Sequence, residues 1–334
     1  MMKTIRYLLL ITAFSISVSG YTQLPKENEP NIDESLSLWN IGVTKSSILS
    51  FVDEVTNKKS TRYIPVEDRV AVFDMDGTIL IEKPNYVIFD FVIRQMHERI
   101  KEDAGLKNKQ PHKAIYEEDW AYFDTLDWNG DDGLYSILLH ATSGFTNQEY
   151  KEEVLNYFKT VKDKRFGVSY SKLVYAPVIQ LIKHLQDNQF EVYIVSGSDP
   201  QFTRTFCRET ANIPSENVIG TTVLTQWIET DSTSHFVRQH AFVQPINDVA
   251  GKPVNILNKI GKLPVIAVGN STGDYHMLEY SKNAPYSLQL IVNHDDADRE
   301  YNYHAEKMKK LCEDKNWIEV SMKKDFKVVF KQME

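Results

Sequence analysis

The hydrophobic pattern of this chain changes its period twice. Short, wholly apolar runs near residue 70 and from about residue 174 onward alternate with amphipathic segments, and the stretch between them is helical in period. Val70–Phe73 is an apolar run of the kind that makes a buried parallel strand. Phe190–Val195 (FEVYIV), Leu263–Val268 and Ser287–Val292 read the same way. Pro177–Asn188, Pro200–Ala211, Pro253–Ile260, Thr272–Tyr280 and Asp298–Cys312 read as helices between or after them. That alternation predicts an α/β fold with a doubly wound parallel sheet. Val218–Ile228 and His235–Val243 read as two antiparallel strands joined by the polar turn TDSTS. Ser46–Thr56 predicts a helix packed beside the first strand.

About 115 residues separate the first two parallel strands, and a crossover needs only a dozen or so. The excess has helical period over Tyr86–Ile100, Pro111–Phe123, Leu134–Ala141 and Asn147–Val161. An insert placed just after the first strand's loop sits over the carboxyl edge of the sheet as a cap. The alternative is a separate domain with no part in the site, and the insertion point argues against it. The predicted organisation is a core of residues 39–82 and 174–334 with a helical cap of residues 83–173. Two cap tryptophans, Trp120 and Trp128, are expected in its core.

The N-terminus follows another pattern. Lys3 and Arg6 precede the mostly apolar run Tyr7–Val18 and the small residues Ser19 and Gly20. This is the layout of a secretory signal peptide over residues 1–20, with cleavage expected before Tyr21. The apolar run is shorter than the roughly twenty residues that span a bilayer. An exported protein, periplasmic or secreted, is expected, with no stable membrane association after cleavage. Residues 21–38 read as a disordered lead-in.

Composition adds little to the fold. The chain has 334 residues, 42% hydrophobic and 25% charged, which is ordinary for a globular protein. Net charge is −8, and loss of Lys3 and Arg6 makes it more negative. That disfavours nucleic acid and anionic membrane as partners. Cys207 and Cys312 lie on separate predicted helices and are expected as unpaired buried thiols.

The chemistry begins at Arg69–Leu80, RVAVFDMDGTIL. The first strand breaks into two acids one residue apart, Asp74 and Asp76, followed by Gly77 and Thr78. A parallel strand delivers such acids to the carboxyl edge of its sheet, where open α/β folds keep their sites. An Asp/Gly turn without chemistry is the plain alternative. FEVYIV ends in Ser196-Gly197-Ser198, where hydroxyls and free N–H groups can cradle a phosphate. Leu263–Val268 ends in GNSTGD, residues 269–274, which carries Asn270 and Asp274 to the same edge. Hard oxygen ligands of this kind suit magnesium.

Together these motifs closely resemble those of the haloacid dehalogenase superfamily, most of whose members are phosphohydrolases. The resemblance implies a Rossmann-like core, Asp74 as nucleophile and Asp76 as general acid/base. It gives Ser196 the phosphate-binding role, with Gly197 beside it, and makes the lysine of Gly251-Lys252 the third motif's cation. Magnesium (Mg2+) is implied, held by Asp74, Asp76 and the Asn270/Asp274 loop. The family usually has an acid where this chain has Asn270, so which of Asn270 and Asp274 touches the metal stays open. Lys259 and Lys262 also precede the strand, but a helix starting at Pro253 puts only Lys252 at the active edge. Trp39, Gly77–Pro84, His140–Tyr150 and His294–Tyr303 resemble an exported branch close to the phosphoserine phosphatase type. There a glutamate near Glu82 meets the substrate's amino group, one residue further along, so Glu82 is a candidate substrate residue, and a salt bridge at the cap hinge is the alternative. His294 and the acids after it are either active-edge residues or an acidic helix start. The expectation is a magnesium-dependent phosphomonoesterase acting on a small phosphate ester, phosphoserine-like in type. A phosphotransferase, a phosphonate hydrolase and a catalytically weak binding protein are the alternatives, and no cap lysine stands out for phosphonate chemistry.

Overall fold

The computed structural model describes residues 35–127 and 133–331. The expected signal peptide, most of the expected lead-in and Trp128 lie outside the described residues. The chain enters earlier than the lead-in boundary implied. In residues 35–38 Leu36 is buried and the Leu38 N–H donates to Gln180.

The expected doubly wound sheet is present. Its strands are β1 (Val70–Phe73), β2 (Glu191–Val195), β3 (Val218–Ile219), β6 (Ile266–Gly269), β7 (Leu288–Asn293) and β8 (Ile318–Ser321), while β4 (Val223–Glu229) and β5 (Ser234–Phe242) form a separate antiparallel hairpin. The order is β3-β2-β1-β6-β7-β8, and every pair is parallel. All four residues of β1 are fully buried, which accounts for its unbroken apolar run. The chain moves from β1 towards one edge and then returns to build towards the other. The switch point therefore lies between β1 and β6, where ligands of open α/β sheets bind. Phe73 pairs with Ile194 and with Val268, so the loops after β1, β2 and β6 open at one level.

Several elements differ from the reading of the sequence. The apolar run Val218–Ile228 is two strands: Val218 and Ile219 join the main sheet, and the hairpin starts at Val223. The break falls at Gly220, where a side chain would meet the Ser198 carbonyl at 2.5 Å. Apolar periodicity cannot register such a close approach. Pro111–Phe123 divides into His112–Glu117 and Trp120–Asp124, because Glu118 adopts a left-handed conformation between them. Trp120 is 48% exposed and does not fill the cap core. Pro200–Ala211 likewise splits in two, and the helix expected from Asp298 begins at Ala305. The strand β8 went unread. The helix Val43–Thr56 contacts this edge strand most, not β1. Cys207 and Cys312 are buried and unpaired.

The cap leaves and rejoins the core side by side. Leu80 bridges Val174, and the Ile81 N–H donates to Leu173 O at 3.0 Å. Between them run Val87–Glu102, Ser136–Thr142 and Asn147–Thr160, with the shorter helices described above. The hairpin packs on this cap through Val237, His240 and, most deeply buried, Arg238. Arg238, 2% exposed, exchanges backbone hydrogen bonds with Gly144 and Phe145 and donates to Thr142 Oγ1 at 3.2 Å. Its guanidinium lies 3.8 Å from the centre of the Tyr150 ring and 2.5 Å from Asp199 Oδ2, on the core loop after β2. One buried ion pair thus joins hairpin, cap and core. Arg238→Ala would leave the Asp199 carboxylate buried without its partner, a loss of about 3–5 kcal/mol. Urea denaturation of Arg238→Ala and of Arg238→Ala/Asp199→Ala is expected to show the double variant recovering part of that loss. A double variant less stable than the single one would contradict this origin.

Candidate active site

The site is built on the turn after β1. The Asp74 N–H donates to Val268 O at 2.9 Å, which fastens the strand's end to β6. The chain then turns sharply: the Gly77 N–H donates to Leu80 O, and Thr78, Ile79 and Leu80 donate to Met75 O. Gly77 has φ +77°, and a Cβ there would stand 1.9 Å from Asn270 Nδ2 and 2.8 Å from Glu82 Cδ. The glycine is required both for its left-handed backbone and for room. It lets the β1 turn press against the loop after β6.

Lys252 is the charge at the centre. Its Nζ donates to Asp74 Oδ1 at 2.7 Å and to Asp274 Oδ1 at 2.6 Å. All three side chains are buried. The helix that carries it runs Gly251–Ile260, two residues earlier than expected, so Lys252 lies in its first turn, not just before it. Pro253 is accommodated because first-turn N–H groups have no partner within the helix. A Cβ at Gly251 would be 1.8 Å from Ile246 O, so this glycine lets the helix start flush against the preceding loop. Lys259 is exposed, and Lys262 reaches Glu67 O instead.

Asp274 is braced on every side. Its Oδ2 accepts from the Asn270 and Ser271 N–H groups at 3.0 and 3.1 Å, while Oδ1 takes Lys252. Asn270 is freer: Nδ2 is buried with no hydrogen bond, and Oδ1 lies 3.4 Å from Thr78 Oγ1. The same hydroxyl lies 3.4 Å from Asp74 Oδ2. Among the described residues no three His, Cys, Asp or Glu side chains converge as a metal site. What converges is one carboxylate oxygen of Asp74 and the amide oxygen of Asn270, around a shared hydroxyl. Sparse hard-oxygen donors of this type fit magnesium, which keeps several waters and takes one or two carboxylates.

Asp76 faces the other serine-bearing loop. Ser198 Oγ donates to its Oδ2 at 2.8 Å, Ser196 Oγ is 3.4 Å away, and Oδ1 is buried with no partner. Ser196 is fully buried and accepts the Ser198 N–H at 3.0 Å; Gly197 and Ser198, and not Ser196, line the cavity on that side. Asn247 holds the loop from behind by donating to Ser196 O at 2.7 Å. Ser198 was legible in the Ser-Gly-Ser triplet and Thr78 in the run after Asp76, whereas Asn247 had no motif to mark it.

His294 follows β7 and is 2% exposed. It belongs to the site's support and not to a helix start. Its Nε2 meets Gly77 O at 2.8 Å and its Nδ1 meets Glu300 Oε2 at 3.1 Å, with Tyr303 stacked on its ring at 4.3 Å. Asp295 and Asp296 turn away to Ser321 and Arg299.

These groups floor a cavity of about 490 Å³ whose opposite wall is the cap. Asp74, Asp76, Glu82, Lys252, Asn270 and Asp274 all line it. Lys83, which the sequence did not single out, lines it too, its ammonium 4.9 Å from the centre of the Tyr303 ring.

The haloacid dehalogenase-like hydrolase family matches residues 69–280 of this chain. The chain belongs to that family. No curated protein matches it. Two solved structures share the fold of this haloacid dehalogenase-like hydrolase. One is a protein of unknown function from Anaerococcus prevotii DSM 20548, at TM-score 0.51 and 17% identity, covering 83% of this chain and 91% of that one. The other, also of unknown function, is from Bordetella pertussis Tohama I, at TM-score 0.50 and 13% identity, covering 75% and 97%. A phosphoserine phosphohydrolase-like protein from Francisella tularensis subsp. tularensis SCHU S4 aligns at TM-score 0.40 and 18% identity, over 73% and 92%.

Burial shapes the charges of this hydrolase's site. It pushes the Asp74 carboxyl well above the usual range, with Asp274 adding and Lys252 opposing. It raises Asp76 to about 7; the Ser198 hydrogen bond pulls down and Glu82 pushes further up. Glu82 is raised by burial against the opposing charges of His294 and Lys83. For Lys252 burial acts downward, but Asp274 and Asp74 hold it above the ordinary lysine value.

The Asp76 shift has a stability consequence in metal-free protein. A carboxyl raised from 3.8 to about 7 favours the folded state's protonated form. The cost of ionising it is absent below about pH 4, grows between 4 and 7 and is complete above. Asp76→Asn cannot ionise. It is expected to stabilise the EDTA-treated protein at pH 8 by a few kcal/mol at most, since one pKa unit is worth about 1.4 kcal/mol. The gain should fade towards pH 4. Urea melts at the two pH values measure it, and an equal gain at both would contradict the shift.

Proposed function

We propose that this hydrolase is a magnesium-dependent phosphomonoesterase that forms an aspartyl phosphate on Asp74. The observation that carries the reading is the charge arrangement. A buried lysine sits on Asp74, and two residues away Asp76 has its carboxyl at about 7, both at the floor of one cavity. A nucleophile must be ionised and a general acid protonated near neutral pH. Lys252 biases Asp74 towards the ionised form, and Asp76, with no lysine against it, is raised towards the protonated form.

In the proposed reaction an Asp74 oxygen attacks phosphorus as the ester P–O bond breaks. Asp76 gives its proton to the departing alkoxide. Water then attacks the aspartyl phosphate, Asp76 takes the water's proton, and the P–O bond to Asp74 breaks to release phosphate. Lys252 works against the burial that raises the Asp74 carboxyl, favouring its ionised form, and neutralises phosphoryl oxygens. The Ser196–Gly197 loop donates to the same oxygens. Bound magnesium would supply Lewis-acid charge at the phosphoryl group. Asp74, the Asp76 carbonyl and Asn270 would hold it. Asn270 is preferred to Asp274 as the direct ligand because Lys252 and two N–H groups already occupy both Asp274 oxygens. Lys83 in the cavity wall is the kind of amine a phosphonate hydrolase would use for an imine. A phosphonate bearing an aldehyde therefore belongs in the substrate panel.

Asp74→Asn is expected to abolish turnover and leave no phosphoenzyme. Asp76→Asn should slow turnover roughly 10²–10⁴-fold. With an activated leaving group it should still show a burst as the intermediate accumulates. Lys252→Ala should lose most turnover while Lys259→Ala stays near wild type, and activity should vanish with EDTA. Steady-state and rapid-quench assays on phosphomonoesters measure all of these. Equal losses in the Asp74 and Asp76 variants with every leaving group would contradict the assigned roles.

Export is part of the proposal, on the strength of the charged start, apolar run and small residues at the N-terminus. N-terminal sequencing of protein from its native host should begin near Tyr21. An intact Met1 on a cytoplasmic species would overturn it.

A further inference from the structure

The phosphatase reading assigns the floor of the cavity and leaves its roof without a role. That roof comes from two cap helices, Val87–Glu102 and Ser136–Thr142, and from the residues leading into the second. Its side chains are Ile88, Phe89, Val92, Leu134, Ile137 and Leu138. Tyr86 and Tyr135 complete it. Among the described residues neither helix contributes a charged side chain to the lining. Asp90 and Arg94, on the first helix, pair with each other outside the cavity. The charged lining groups outside the reaction centre come from other segments: Glu82 and Lys83 at the hinge, Asp248 and Lys307 on the core.

In the proposed reaction the ester oxygen must lie at Asp76, and the cavity that opens from these acids is walled on its far side by this roof. An amino-acid leaving group would carry an ammonium and a carboxylate into an apolar compartment, where unpaired charge is strongly disfavoured. No arginine lines the cavity among the described residues to receive a carboxylate. A hydrocarbon leaving group would gain from the same burial. The volume of about 490 Å³ is of the size that encloses an organic ligand, well beyond a phosphate alone.

We propose, building on the phosphomonoesterase reading, that the substrate is the phosphate ester of an uncharged apolar alcohol, alkyl or aryl, whose carbon skeleton packs under the cap against Ile88, Phe89 and Leu138. The phosphoserine type suggested by sequence resemblance is then not the preferred substrate.

The test is kcat/KM for straight-chain alkyl phosphates from ethyl to octyl, with phosphoserine alongside, at fixed magnesium. The leaving-group pKa hardly changes along this series, so chain length isolates contact with the roof. The expected rise is roughly fourfold per methylene until the cavity fills, the equivalent of about 0.8 kcal/mol per buried CH₂. Phosphoserine should fall below propyl phosphate. Ile88 is half-buried, and Ile88→Asn is expected to flatten the slope. A flat or falling series in the wild type, or phosphoserine ahead of propyl phosphate, overturns the leaving-group proposal and leaves the phosphatase reading standing. Absence of any ester hydrolysis and of any phosphoenzyme brings down the phosphatase reading itself, and this proposal with it.

Discussion

One buried ammonium shared by two carboxylates holds this site together. Asp74 and Asp274 come from the ends of different strands, and burial alone would protonate or separate them. Lys252 lies within 2.7 Å of both. It converts mutual repulsion into a connection between β1, β6 and the helix Gly251–Ile260. Such a cluster holds only if its geometry is tight and its remaining valences are filled. Those conditions are met by backbone: two N–H groups on Asp274, and Gly251 packed flush on Ile246.

The same arrangement separates the two acids of the first motif. Asp74 and Asp76 share a turn and are both buried, yet the lysine contacts only Asp74. Asp76 has a serine hydroxyl, one unpartnered oxygen and the nearby negative charge of Glu82. Burial raises both carboxyls, but only Asp74 has an adjacent ammonium that pulls against it directly. The turn that sets their spacing is pinned through Gly77, whose carbonyl meets His294. Glu300 and Tyr175 back that histidine in turn, so the chemistry rests on groups from the loop after β7 and from the chain's return out of the cap.

The cap is more than a cover. Arg238 binds hairpin, cap helix and the loop after β2 into one buried junction, next to the serines that face Asp76. The position of the apolar roof over the acids is therefore tied to the loop that would hold phosphate. The cap and the loop after β2 are mechanically linked through Asp199.

The local chemistry of the sequence was enough for the parallel sheet, the insertion of the cap and the cluster of Asp74, Asp76, Ser196, Lys252 and Asp274. Each of these is written in contiguous residues: an apolar run, then an acid, hydroxyl or lysine at a strand's or helix's end. Strand polarity carries those ends to one edge. The sequence could not report the close approaches that split Val218–Ile228 at Gly220, or the neighbours that leave Trp120 exposed. Nor could it place Arg238 on Asp199, His294 on Gly77 or the hydrocarbon roof over the acids. Those depend on which side chains meet across 39 to 217 residues of chain. Charge state, too, belongs to the tertiary structure. Asp74 and Asp76 are the same residue type in the same motif, and only burial beside Lys252 or beside Ser198 makes them different acids.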